Sequence, residues 1–255
     1  MPGARAYPTN GFPLSKAELA KTLDLGNPVY EFLEHYAKRD VVFFFDDFGQ
    51  KALNTTNDWS VAAGNTATTW ARVAGTSGLL RGVAGTTAAT SGLQIYGANK
   101  DWNGTLNSGM EIRFRDSVIL EGRLEMGFVD ALAAVNTNLV NSMSTPTFNT
   151  VATAALFMYD HTGSTITQGL YTDGSGVSAQ KTAITSGLTA ATFTTVRIQI
   201  IGQTVHLWID GTFMTSLTSG ITAADTMVPC FASKSSDTTD RNINIDFIGV
   251  WSDRA

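Results

Sequence analysis

The sequence predicts an all-β fold: one sandwich of two antiparallel sheets, preceded by a short α-helical arm. Three observations predict it. Apolar and polar residues alternate with a period of two in several segments after residue 40, tight glycine-containing turns separate such segments, and no helix-length apolar pattern follows Asp40. Composition agrees, since only 15% of the 255 residues are charged against a usual share of about 25%. Thr, Ser, Asn and Gly supply the remaining polarity, and they suit pleated surfaces and turns.

The arm comes first. Residues 1–40 hold ten charged residues and the following 215 hold only 29, so the composition breaks at Asp40 and divides the chain into an arm, 1–40, and a sandwich, 41–255. Ser15-Lys16-Ala17-Glu18 has capping-box spacing, with Leu19 and Leu23 at helical spacing and Gly26 placed to end the helix. Asn27 and Pro28 start a second helix whose apolar stripe is Val29, Phe32, Leu33 and Tyr36. Two such short helices are unstable alone in water, so the stripe is expected to dock on the sandwich or on a partner chain.

Strands follow. Val41-Val42-Phe43-Phe44-Phe45 is a continuous apolar run and predicts a strand buried on both faces. Residues 53–107 predict short strands with long connections, Leu93-Gln94-Ile95-Tyr96 among them. Met110, Ile112 and Phe114 oppose Glu111, Arg113 and Arg115; Leu120, Leu124, Met126 and Phe128 oppose Glu121, Arg123 and Glu125. Both patterns predict half-buried strands. The clearest hairpin runs from Val196, Ile198 and Ile200 through a Gly202-Gln203 turn to Val205, Leu207 and Ile209, which alternate with His206, Trp208 and Asp210. Asp210-Gly211 predicts a further tight turn into Thr212-Phe213-Met214, and Ile243, Ile245 and Phe247 predict a last strand ending at Trp251.

Charge and cysteine use narrow the function. A net charge of −5 without a basic run argues against nucleic acid as a partner. The single Cys230 leaves no intrachain disulfide and no cysteine-based zinc site. No apolar run approaches the roughly 20 residues of a membrane helix. Met1-Pro2-Gly3-Ala4-Arg5 is followed by no apolar signal region, which predicts synthesis and folding in a cytoplasm.

The hairpin Thr195 to Met214, with its Val205-His206-Leu207-Trp208-Ile209-Asp210-Gly211 strand, resembles a signature of concanavalin A-like jelly-roll domains, laminin G-like modules included. Asp46-Asp47-Phe48 and Ile245-Asp246-Phe247-Ile248-Gly249-Val250-Trp251 are similar to the first and last strands of that fold. In organisation the whole chain resembles the laminin G-like virion proteins of tailed bacteriophages. That resemblance implies a non-enzymatic virion structural protein: a capsid decoration protein, or less often a head fibre or minor capsid component, synthesised in the host cytoplasm and placed on the capsid exterior. Its partners would be the major capsid protein or another virion protein, engaged through the arm, and further copies of itself, a trimer being favoured. No cofactor is implied.

Other chemistries have candidate residues as well. Jelly-roll glucanases carry alternating acids facing a cleft, and Glu121-Gly122-Arg123-Leu124-Glu125 is similar to that pattern with arginine in the central place. Glu121 and Glu125 would stand roughly 13 Å apart at about 3.3 Å per residue. A retaining pair needs about 5 to 5.5 Å and an inverting pair about 6.5 to 9.5 Å, so an ionic ladder with a cation between carboxylates is the expectation. No Gly-x-Ser-x-Gly elbow accompanies His35, His161 or His206. Asp46, Asp47 and Asp246 are candidate calcium ligands by their oxygen chemistry, without EF-hand spacing. The principal alternative is a lectin-like carbohydrate-binding module for receptor or glycan recognition. Trp59, Trp70, Trp102 and Tyr159 are its candidate residues, since they fall in predicted loops or strand ends with Asp58, Asp101 and Asp160 adjacent.

Overall fold

A computed structural model describes residues 41–48, 55, 58–64, 69–73, 78–84, 92–97, 102–117, 122–132, 134–142, 145–149, 152–162, 165–185, 188–235 and 241–253. The arm, with Val29, Phe32, Leu33 and Tyr36, lies outside these residues, as do Leu120 and Glu121. Among the described residues the regular elements are strands, beginning with β1 (Val41–Asp46), β2 (Trp59–Ala63), β3 (Thr69–Arg72), β4 (Leu80–Ala84), β5 (Gly92–Gly97) and β6 (Gly109–Asp116). The middle of the chain gives β7 (Gly122–Val129), β8 (Val140–Ser142), β9 (Thr147–Phe148), β10 (Ala154–Thr162), β11 (Thr165–Gly174) and β12 (Val177–Ala183). The last five are β13 (Thr194–Ile201), β14 (Thr204–Ile209), β15 (Thr212–Leu217), β16 (Val228–Ser235) and β17 (Arg241–Asp253).

These strands make the two antiparallel layers that the alternation predicts. One sheet has eight strands in the order β15-β14-β13-β6-β17-β4-β3, with β1 on β17; the other has seven in the order β12-β11-β10-β7-β16-β5-β2. Met110, Ile112 and Phe114 of β6, Val196, Ile198 and Ile200 of β13, and Leu124, Met126 and Phe128 of β7 meet in one core between the layers. Burying side chains of this size stabilises by about 1.5–3 kcal/mol each before entropy is counted. The β13–β14 hairpin turns at Gly202 with φ 59°, and Asp210 and Gly211, both with positive φ, turn β14 into β15. Two-residue hairpin loops need positive φ at the first central residue, as at Gly202, or at both, as at Asp210-Gly211.

Three details correct the sequence expectations. β1 is not buried on both faces: it pairs along the C-terminal half of β17 alone, so Phe44 packs inward on Trp59 while Phe45 remains 37% exposed beside Phe247. In β17 the register shifts between Ile245 and Phe247. The extra residue, Asp246, hands the core side to Ile248 and Val250 and turns Phe247 away from it. Finally, β7 is buried along its whole length, not on one face. Its second face is roofed by the chain that follows it, where Leu139 and Val140 of the β8–β9 hairpin region join Val129, Leu156, Met158, Tyr171 and Cys230 in a smaller apolar cluster.

Candidate functional site

Of the two acids in the Glu121-Gly122-Arg123-Leu124-Glu125 pattern, Glu121 lies outside the described residues and Glu125 lies on β7 beneath the roof. β7 is the middle strand of the seven-stranded sheet. Glu125 projects from its outer side, where one carboxylate oxygen accepts the Val140 N–H and the other the Leu139 N–H, each at 2.8 Å. Arg123 stands 3.0 Å from Glu125 and 3.3 Å from Asp160 of β10, and its guanidinium also donates to the Val140 carbonyl. A cation between two carboxylates is thus present, but the second acid comes from the neighbouring strand and the group is buried. Burial pushes the Glu125 pKa above the ordinary carboxylate value, against the opposing pull of Arg123 and the two amides. These carboxylates fasten a polypeptide segment across the sheet and line no open groove.

The candidate sugar-binding aromatics are mostly interior. Trp59 is 1% exposed and donates its indole N–H to Asp46 at 2.9 Å, which ties β2 of one sheet to β1 of the other. Tyr159 is 1% exposed and faces the main core; with Asp160 and His161 it lies within β10, not in a loop. Trp70 reaches inward from β3, meets Phe231 edge-on and donates to the Gln94 carbonyl at 3.0 Å, with Gly82 leaving room for its ring. Trp102 is half-buried against the core, and its backbone bridges Met227. These large rings are used to close the sandwich, as apolar area and a single N–H partner favour.

The calcium candidates are occupied otherwise. The two oxygens of Asp46 accept from Trp59 and from the Phe48 N–H, and Asp246 pairs with Arg113. Asp47 is exposed at the end of β1. Among the described residues no three His, Cys, Asp or Glu side chains gather to hold a metal ion.

What the structure brings together instead is an aromatic surface on the outer face of the eight-stranded sheet. His206 and Trp208 lie two apart on β14 and therefore share a side. The Asp210-Gly211 turn sets Phe213 of β15 opposite Trp208, and a bulge at Met214 keeps both rings outward while Met214 packs on the core. The Trp208 and Phe213 ring centroids are 5.6 Å apart at 68°, and His206 is 5.7 Å from Trp208. Phe213 is 53% exposed. On the far side of Trp208 the Arg197 guanidinium lies 4.8 Å from the ring centre, within 3.8 Å of the buried Glu111 carboxylate. Burial against these rings lowers the His206 pKa. The outward alternation of His206 and Trp208 was visible in the sequence; the pairing with Phe213 depends on register.

Neither family models nor the sequences of curated proteins match the chain. Solved structures do. The Emp47p carbohydrate recognition domain aligns over 82% of this chain and 95% of its own, with TM-score 0.57 and 10% identity. A Bacillus licheniformis β-glucanase aligns over 83% and 98%, with TM-score 0.58 and 9% identity. Rv0315 of Mycobacterium tuberculosis, described as an immunostimulatory antigen and pseudo β-1,3-glucanase, aligns over 84% and 100%, with TM-score 0.55 and 11% identity. At such identities the likeness is one of fold: the chain is a concanavalin A-like jelly roll.

Proposed function

We propose that this protein is a glycan-binding module that works without turnover, using the outer face of its eight-stranded sheet. The observation that carries the proposal is the surface cluster of the exposed Phe213 with the half-buried Trp208 and His206, beside Arg197. Flat apolar rings next to a hydrogen-bonding cation match the two-sided chemistry of a sugar, whose C–H face stacks while its hydroxyls seek polar partners. Fold neighbours that include a carbohydrate recognition domain and glucanases support this carbohydrate reading over the virion role expected from the chain's organisation. A binding role in place of hydrolysis is supported by Glu125, whose two oxygens are taken up by backbone amides under the roof.

A glycan array with the purified chain tests the proposal. Retention of a defined glycan set that drops at least tenfold in Trp208→Ala and Phe213→Ala, with the thermal midpoint little changed, is the expected result. No retained glycan, or retention indifferent to both substitutions, rejects it.

A further inference from the structure

The chain carries a net charge of −5, yet the face that holds the aromatic cluster also gathers cations. The alternation of β6 sets Arg113 and Arg115 beside Glu111, opposite the core-facing Met110, Ile112 and Phe114. Asn244 of β17 pairs on one side with Arg115 and on the other with Arg81 of β4, so these three side chains stand in a row across three strands. Arg197 of β13 joins the same face through its pairing with Glu111.

Two of the four arginines have their charge met, Arg113 by Asp246 and Arg197 by Glu111. Arg81 and Arg115 have no carboxylate partner among the described residues. Arg81 gives its Nε–H to Asn244 Oδ1 at 3.1 Å, and the Arg115 guanidinium lies 4.9 Å from the Phe193 ring centre. With Ser117, Ala191, Asn242 and Asn244 they line a pocket of about 230 Å³. Two of the lining residues offer further donors. The Asn244 carbonyl is turned toward Arg81, which leaves its NH₂ to donate, and Ser117 Oγ accepts from the Asn242 N–H, which leaves the hydroxyl hydrogen to do the same.

Two guanidiniums without a carboxylate partner among the described residues, with amide and hydroxyl donors beside them, form a receptor for an oxyanion, because planar forks of N–H groups match carboxylate and sulfate oxygens. The pocket is smaller than the roughly 300–1,000 Å³ of sites that engulf a drug-sized ligand, so it suits one charged group at the end of a longer ligand. Arg115, at the pocket's near edge, is two strand spacings across and four residues along from Trp208, roughly 16 Å, and Phe193 lies against Arg113 and Arg115. We infer that the pocket binds the carboxylate or sulfate of an acidic saccharide whose rings extend over the aromatic surface. This inference rests on the glycan-binding reading and names the ligand class for it.

Titration calorimetry of the full chain with three probes tests it: an oligogalacturonate, a sulfated galactan oligosaccharide and a neutral galactan oligosaccharide. An acidic probe should bind about tenfold tighter or more than the neutral one, as charge-assisted hydrogen bonds imply, and added salt should erode the difference. The double variant Arg81→Gln/Arg115→Gln should lose that advantage and keep neutral binding, while Arg81→Lys/Arg115→Lys should keep part of it. Preference between the two acidic probes separates carboxylate from sulfate. Equal affinity for acidic and neutral probes, or an advantage untouched in the Gln variant, overturns the inference and leaves the glycan reading standing. Inorganic sulfate, followed by the arginine Nε–Hε NMR signals, gives a readout independent of any sugar. Shifts concentrated on Arg81 and Arg115 support the pocket; none, or equal ones at Arg113 and Arg197, overturn it.

Discussion

Glu125→Ala should detach the roof of the seven-stranded sheet at a cost that the structure allows to be worked out. The substitution removes both acceptors of the Leu139 and Val140 amides and one of the two carboxylates around the buried Arg123. Each orphaned amide, if it stayed buried, would cost about 1–3 kcal/mol, and breaking a buried ion pair costs about 3–5 kcal/mol. These overlap, because a roof that lifts rehydrates its amides and exposes the smaller apolar cluster instead. We therefore expect a total loss of about 3–5 kcal/mol, or a fall in thermal midpoint of about 6–20 °C at about 2–4 °C per kcal/mol. Urea unfolding gives the free energy, and amide exchange at Leu139 and Val140 reports whether the segment has lifted. Glu125→Gln should rescue little, since its NH₂ would face an N–H where an oxygen is needed. A loss below about 1 kcal/mol with both amides still protected would refute the assignment of Glu125 as the fastening group.

Gly122→Ala should be costly, because an added Cβ would fall 1.6 Å from Arg241 Nη1 and push that buried guanidinium off Asp116 and the Lys234 carbonyl; an unfolding free energy lowered by less than about 1 kcal/mol would contradict it. Cys230 is fully buried and burial raises its thiol pKa, so the native protein should resist a thiol reagent at pH 8 and react once unfolded. Reaction at a free-thiol rate in the folded state is the contrary outcome. The lowered pKa of His206 means that the unfolded chain binds the proton more readily. Stability from this residue is therefore present above about pH 6.5 and declines as the pH falls through the lowered folded value. His206→Phe should flatten that part of the urea-midpoint profile between about pH 7 and 5, and identical slopes for variant and parent would remove the claim.

Much of the sandwich could be read from local pattern, since alternation and turn chemistry act over a few residues. Val196 to Met214 is the plainest case: Gly202 and Asp210-Gly211 dictate both turns, and the inward set Val205, Leu207 and Ile209 follows. The pattern failed where one extra residue or a distant segment intervened. The bulge at Asp246 leaves Phe247 in step with Ile243 and Ile245 by counting, but on the opposite side in space. Glu125 and Arg123 look like solvent-facing residues because nothing nearby announces that Leu139 and Val140 return over them. Trp59 looks like a surface ring for a related reason: its partner Asp46 is thirteen residues away on the other sheet. Trp208 is the ring that lies on the outer face, and its neighbours are made by strand register.

One more consequence lies in β17, whose thirteen residues run past β6 on one flank and past β4 and then β1 on the other. Val41 stands opposite Asp253, so the first and last described residues share one end of the eight-stranded sheet, while Asn242 and the arginine pocket occupy the other end, roughly 35 Å away at about 3.3 Å per residue.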